Sequence, residues 1–425
     1  MNNIWQATIT RTSRGNRVFD IFDHENYVKR HQEYLNLSAE AKSKYRGEEH
    51  YLEEKYGIII SHLNKNYRLL LEELQKKMGS DLPSELLTID YYTQDTLIQD
   101  LLSSLENENY IKEIYKGKKL QVSSGLSSKD ANILTDCIRQ GRSLLDAGKK
   151  ADMLAKPLID FYAASAYAYA IIVINSPLHK SIDSLKGSHG HTYNHKKETI
   201  DFGGEIPFGT FNDLLAAIHV AKIKTPRIDL KYSLIPSIDT VQNNNISLSL
   251  MALLSMVPEL NEYYGNLDST HRLVHKLQID TGVSGSKTVY NFYVGNGKYK
   301  PDLNQLEREF KTGNIVEEQG SYKIVVEAPK VNDIMPTIYQ DLRGDCWYVE
   351  SPIDGLCIPE ICLHFLIISG LCNIMRYSPH EWSDIINNKI SPKFSLLISE
   401  YIRLFEKKFP MLVTQYLTNY VPVII

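Results

Sequence analysis

Three observations in the 425-residue sequence predict a mainly α protein with a small β component (α+β), in which a helical N-terminal extension precedes a helical core carrying a short strand insertion. Apolar residues recur at three- and four-residue spacing over long stretches, the stripe by which an amphipathic helix buries one face. The segment Leu158 to Ile174 (LIDFYAASAYAYAIIVI) is apolar nearly all round and studded with alanine. The clearest strand-like runs, Lys287 to Val294 and Ser321 to Val326, fall within one region near 280–350.

In chain order, residues 1–22 alternate through Ile4, Ala7, Ile9, Val18, Phe19, Ile21 and Phe22, predicting one or two strands with a hairpin near Gly15-Asn16. From Asp23 to Met78 the pattern turns helical and charged. Its second run, Glu49 to Lys77, sets Leu63, Tyr67, Leu70, Leu71 and Leu74 at helical spacing. A packed helical hairpin and a partner-binding coiled coil both fit this arm, and the lack of sustained heptads favours the hairpin. Gly79 and Pro83 punctuate the chain before a helix over Gln94 to Glu106. The Lys-, Ser- and Gly-rich stretch Gly117 to Ser128 reads as a linker, dividing an extension (1–120) from a core (125–425). Lys129 to Asn175 then forms two helices, with Ser128 as a cap, Gly148 near the first helix's end and Pro157 in the second's first turn.

FGGEIPFG after Asp201 lacks both the lysine-serine ending of a P-loop and GxGxxG spacing, so it reads as turns. A helix with Leu214, Leu215, Ile218 and Val220 follows, then one over Ser247 to Tyr264. A charged helix, Asp302 to Lys311, separates the two strand runs, and helix resumes from Pro359.

Hydrophobic residues at 43%, charged residues at 23% and a net charge of -4 fit an ordinary globular protein; they give nucleic-acid binding no global support. Five cysteines, an odd set without a visible leader, suggest reduced thiols in a cytoplasm. Leu158 to Ile174 is short for a membrane span and contains Asp160, so no membrane is expected. A helix buried among its neighbours fits better.

Two constellations carry candidate chemistry. Ser188-His189-Gly190-His191-Thr192-Tyr193-Asn194-His195-Lys196-Lys197 follows the apolar helix, and its polar composition places it at solvent or a ligand. His189, His191 and His195 have the ligand type for a divalent metal, but without HExxH or Cys-pair spacing no metal and no cofactor is assigned. The second is Arg376-Tyr377-Ser378-Pro379-His380-Glu381-Trp382, at the end of an apolar helix. Arg142, Lys186, His189, Lys196, Arg343 and Arg376 are the candidate anion-binding set; His189, Arg376 and His380 are the candidate acid-base set. Cys357, Cys362, His364 and Cys372 could supply soft ligands, but thiols in an apolar helix read as core.

The ordered landmarks GRSLLDAGKKADMLAKPLIDFYAASAYAYA, a short Ser-His-Gly element, LMALLSMVPELNEYYG, LRGDCWYV and CNIMRYSPHEW resemble the YaaC-like family of bacterial proteins over roughly residues 125–425. The resemblance implies a shared core and supplies no catalytic assignment. Arg376 and His380 also invite comparison with the all-helical HEPN ribonucleases, but only three residues intervene, fewer than that motif carries. The sequence therefore leads to a non-catalytic interaction or regulatory subunit, possessed of protein partners or self-associating, in a stress or phage-defence module. A metal-independent ribonuclease-like enzyme and a small anion or nucleotide sensor are the alternatives.

Overall fold

The computed structural model describes residues 6–11, 17–20, 32–48, 50–51, 55, 58–62 and 85–424, the last range without 120–124, 177–178, 180, 186, 205–208, 266, 268–272, 296–299, 319 and 329–333. There are two compact units, Met1–Ser80 and Asp81–Ile425. Residues 85–119, placed by the sequence with the extension, belong to the second.

In the first unit, β1 (Gln6–Arg11) lies between β2 (Arg17–Asp20) and β3 (Ile58–His62), both antiparallel to it. A short helix, α1 (Ala39–Ser43), is capped by the Ser38 hydroxyl accepting from Ala41 N. The helix expected over Glu49 to Lys77 is thus interrupted by a strand. Ile58, Ile59 and Ile60 are β-branched in succession, which crowds a helix turn and suits a pleated strand. Leu63, Tyr67, Leu70, Leu71 and Leu74 lie outside the described residues.

The second unit opens with β4 (Glu85–Ile89), α2 (Gln94–Ser104), α3 (Glu108–Lys119), α4 (Ser128–Lys150) and α5 (Lys156–Asn175). Ser127, not Ser128, caps α4, accepting from Asp130 N. The buried pillar is α5, packed by α4, and two glycines permit that approach. A Cβ on Gly141 would stand 2.9 Å from the Tyr167 ring, and one on Gly148 would stand 2.2 Å from Asp160 Oδ1. Seven residues apart, both glycines fall on one face of α4, two turns from each other.

The chain continues through β5 (His191–Asn194), β6 (Thr199–Gly203), α6 (Thr210–Ala217), β7 (Val220–Lys224), β8 (Asp229–Ser233), α7 (Ile235–Asn243), β9 (Asn245–Ser249), α8 (Leu250–Ser255) and α9 (Asn261–Gly265). The single helix expected over Ser247 to Tyr264 is broken. Ile246 and Leu248 alternate with exposed neighbours in β9, Ser249 caps α8 on Ala252 N, and Pro258 starts a separate 3-10 turn. Val220 likewise opens a strand instead of extending α6.

Next come β10 (Val274–Ser284), β11 (Lys287–Val294), α10 (Leu303–Glu309), β12 (Asn314–Glu318), β13 (Ser321–Glu327), β14 (Thr337–Gln340) and β15 (Cys346–Val349). These six strands form one antiparallel sheet in the order β12-β13-β11-β10-β15-β14. Ser284 pairs with Lys287 across a two-residue turn whose Gly285 has φ +63°, the positive φ of a tight hairpin. The chain ends with α11 (Glu360–Tyr377), α12 (Pro379–Ile386), α13 (Pro392–Leu417) and β16 (Tyr420–Ile424), the last parallel to β4. Strands β5-β6-β9 make a second antiparallel sheet and β7-β8 a hairpin. The β component is therefore not small, and the expectation of a helical core with one strand insertion is corrected to an α+β fold with several sheets.

Two helices, α5 and α11, are long and apolar enough to cross a membrane by length and composition, and 78% of each window is buried within the protein. Cys346, Cys357, Cys362 and Cys372 are buried.

Neutral titratable groups fill parts of this interior. Burial holds His191 and His219 down at about 4 and His364 at about 3. It raises Asp160, whose two oxygens accept no hydrogen bond, to about 8, and Glu309 to about 7. The histidines bind fewer protons folded than unfolded, so their contribution is present above pH 6.5 and lost on acidification. The carboxyls keep protons the unfolded chain has released, so their contribution is lost as pH rises toward 7 and 8. Stability is expected to peak near pH ~6.5 and fall on both sides. Asp160→Asn should flatten the alkaline limb in denaturant-midpoint measurements; an unaltered limb would count against a protonated Asp160.

Candidate functional site

Ser188-His189-Gly190 is pinned to the start of α6. Thr210 N donates to Ser188 O and Phe211 N to His189 O, each at 2.9 Å, while Asn212 Nδ2 donates to Gly190 O at 3.2 Å. Helix N-termini carry N–H groups without internal acceptors, and this loop supplies the carbonyls. The fit is close: a Cβ on Gly209, itself at φ +119°, would lie 2.4 Å from Gly190 N.

The His189 carbonyl accepts a second bond, from His191 Nδ1 at 3.1 Å. A carbonyl only accepts, so Nδ1 carries the proton and Nε2 is left to accept from Ser369 Oγ at 2.5 Å. His191 is buried and neutral, edge-on to Phe365 at 5.7 Å and Phe211 at 6.3 Å. It anchors the tract to α11.

From that anchor, β5 runs alongside the last turns of the helix, where His195 meets the Tyr377 ring at 5.7 Å. Four strand residues advance ~13 Å and eight helical residues ~12 Å, so the two contacts match in spacing. Gly370 leaves room for β6: a Cβ there would stand 3.0 Å from Ile200 Cδ1.

The His189 ring is exposed, edge-on to Phe161 at 5.0 Å. Burial of part of its ring and the charge of Arg376 lower its pKa. Arg376 lies over Tyr377 at 5.1 Å and hydrogen-bonds the Cys372 thiol. Among the described residues no carboxylate pairs with it. The histidine tract and the end of α11, read separately in the sequence, thus meet at one rim: a backbone-fixed imidazole of lowered proton affinity within the field of a cation that has no carboxylate partner among the described residues.

His380 on α12 is 91% exposed and turned to Asp384, with Nδ1 3.3 Å from Oδ2. Arg142 is bound to Glu106 by two hydrogen bonds of 2.5 and 3.3 Å. Arg343 occupies the turn between β14 and β15, its N–H donating to Asp341 Oδ1. Lys196 is exposed in the β5-β6 turn. Lys186 lies outside the described residues. Both nitrogens of His191 are committed within the protein, and among the described residues no three His, Cys, Asp or Glu side chains come together as metal ligands.

Sequence reasoning missed Ser369, Phe365 and Phe161. The Ser-Gly pair at 369–370, a small polar break inside an apolar helix, was the available signal.

The fold and rim define an α+β protein with a buried helical pillar and a histidine-arginine edge. A family model described as YaaC-like Protein matches residues 91–417, and the chain belongs to that family. No curated protein and no solved structure matches significantly.

Ser369→Ala would leave His191 Nε2 buried without a partner. It is expected to lower stability by about 1–3 kcal/mol. A denaturant midpoint equal to that of the parent chain would show that this bond does not hold β5.

Proposed function

We propose that this protein is a non-catalytic interaction or regulatory subunit that binds a protein partner through the rim around His189 and Arg376. One observation carries the reading: Arg376, with no ion-pair partner among the described residues, sits in a band of exposed rings. Tyr377 is 61% exposed and Tyr162 47% exposed. His195 contacts Tyr377, while Tyr162 is joined to His189 through Phe161. Tyrosine and arginine are residues that often concentrate interface energy: tyrosine buries a large area with few rotatable bonds, and arginine presents a planar fork of donors that also stacks on rings. The pinned backbone of His189 means little ordering is needed on association. That His380 faces Asp384 weighs against an acid-base trio.

The setting proposed is a bacterial stress or phage-defence module in the cytoplasm, and the free cysteines support a reducing compartment. The test is co-expression with the products of neighbouring genes, followed by size-exclusion chromatography. A stable complex, or a defined homo-oligomer, is expected. Arg376→Ala and Tyr377→Ala should each weaken it about tenfold or more, ~1.4 kcal/mol. A chain that stays monomeric with every neighbour would end the reading.

Arg376, without a carboxylate partner among the described residues and within reach of the field of His189, also favours a second reading, recognition of a phosphate on a nucleic acid or nucleotide. Binding or cleavage of labelled RNA, lost in His189→Ala and Arg376→Ala, would support that alternative over the first.

A further inference from the structure

Strand β10 runs on beyond its neighbour on one side. β11 accompanies it from Leu277 to Ser284, whereas β15 pairs with it only from Val274 to Leu277. From Gln278 to Ser284 no strand among the described residues lies on that second side. Backbone groups alternate in direction along an antiparallel strand, and two bonds fix the phase here. Gly295 N donates to Lys276 O on the β11 side at 3.0 Å, and Glu350 N to Leu273 O on the β15 side at 2.7 Å. Even-numbered residues of β10 therefore face β11, and the N–H and C=O groups of Ile279, Thr281 and Val283 face the free side.

Strand margins of this kind are normally guarded by Lys, Pro or a bulge. Between Gln278 and Ser284 the register is continuous, the sequence holds neither Lys nor Pro, and Asp280 is the one charged residue. On the face that Leu277 and Ile279 bury, the strand continues with Thr281 and Val283, both exposed, Val283 by 79%. Core-like, β-branched surface thus extends outward along an unpaired backbone.

The residue pattern selects the chain that covers it. Laid antiparallel on itself about Thr281, the segment sets Thr281 against Thr281 and Ile279 against Val283 of the second copy. These are the residues whose backbone groups point to the free side, so each pair can exchange both of its hydrogen bonds. Their side chains bring β-branched groups together across the seam, a favourable cross-strand pairing. On the opposite face Asp280 meets Gly282 and Gln278 meets Ser284, so no like charges stand directly opposite. The two Asp280 residues are only diagonal neighbours, ~7–8 Å apart.

We propose that β10 is a self-association site, at which two copies of this chain join antiparallel through Ile279 to Val283 about a twofold axis at Thr281. None of these residues belongs to the rim, so the inference stands apart from the rim's partner.

The experiment uses the full chain. Sedimentation over a concentration series should show a reversible dimer of twice the 48.6 kDa chain mass. Thr281→Lys, which opposes two ammonium groups at the axis, should weaken it about tenfold or more, while Thr281→Val should leave it intact. Thr281→Pro removes an N–H that β11 does not use, so it should keep the hairpin and abolish the dimer. Hydrogen exchange on the parent chain needs no variant: the amides of Ile279, Thr281 and Val283 should gain protection as concentration rises. Arg376→Ala should dimerise as the parent does, so loss of a rim partner and loss of this dimer are separate results. A monomer at every concentration, a dimer unaffected by Thr281→Lys or lost in Arg376→Ala, or protection of these amides only when another protein is added would each overturn the assignment.

Discussion

The close approach of α4 to α5 is the constraint on which the second unit depends. At Gly141 and Gly148 the α4 backbone takes up space that any side chain would contest with Tyr167 and Asp160. Side by side with α4, α5 is also packed by α11, α13 and α6. Bulk at either glycine would push the helices apart and loosen every layer built on α5, since packed interiors adjust poorly to added volume. The unpaired Asp160 carboxyl beside Gly148 is part of the same contact. Its neutral form is the one compatible with so dry a position.

Backbone groups, more than side chains, carry this order to the rim. The carbonyl of His189 accepts from both Phe211 N and His191 Nδ1, joining the start of α6, the tract and, through Ser369, α11. The ring of His189 is exposed, yet the peptide unit that bears it is held on two sides. A side chain projecting from such a fixed point suits recognition, where geometry must exist before the partner arrives.

Much of the helical framework was legible in the sequence, because long helices announce themselves by period and punctuation. The pair over Lys129 to Asn175 is found with Gly148 and Pro157 where expected, and Lys287 to Val294 forms a strand. Short strands were not legible. His191–Asn194 and Asn245–Ser249 are too brief to show period two against their surroundings, and Leu250 to Ser255 lent the latter a helical appearance. The site was legible by composition: His189 and Arg376 were both singled out, but nothing in one sequence places β5 along α11.

The parallel pairing of β4 with β16 joins strands from opposite ends of the second unit. Contacts between such distant residues form slowly, because loop closure must precede any gain from them. The intervening helices and sheets can assemble while Glu85–Ile89 still lacks its neighbour. Until Tyr420–Ile424 pairs with it, that strand has an unfilled edge open to other chains.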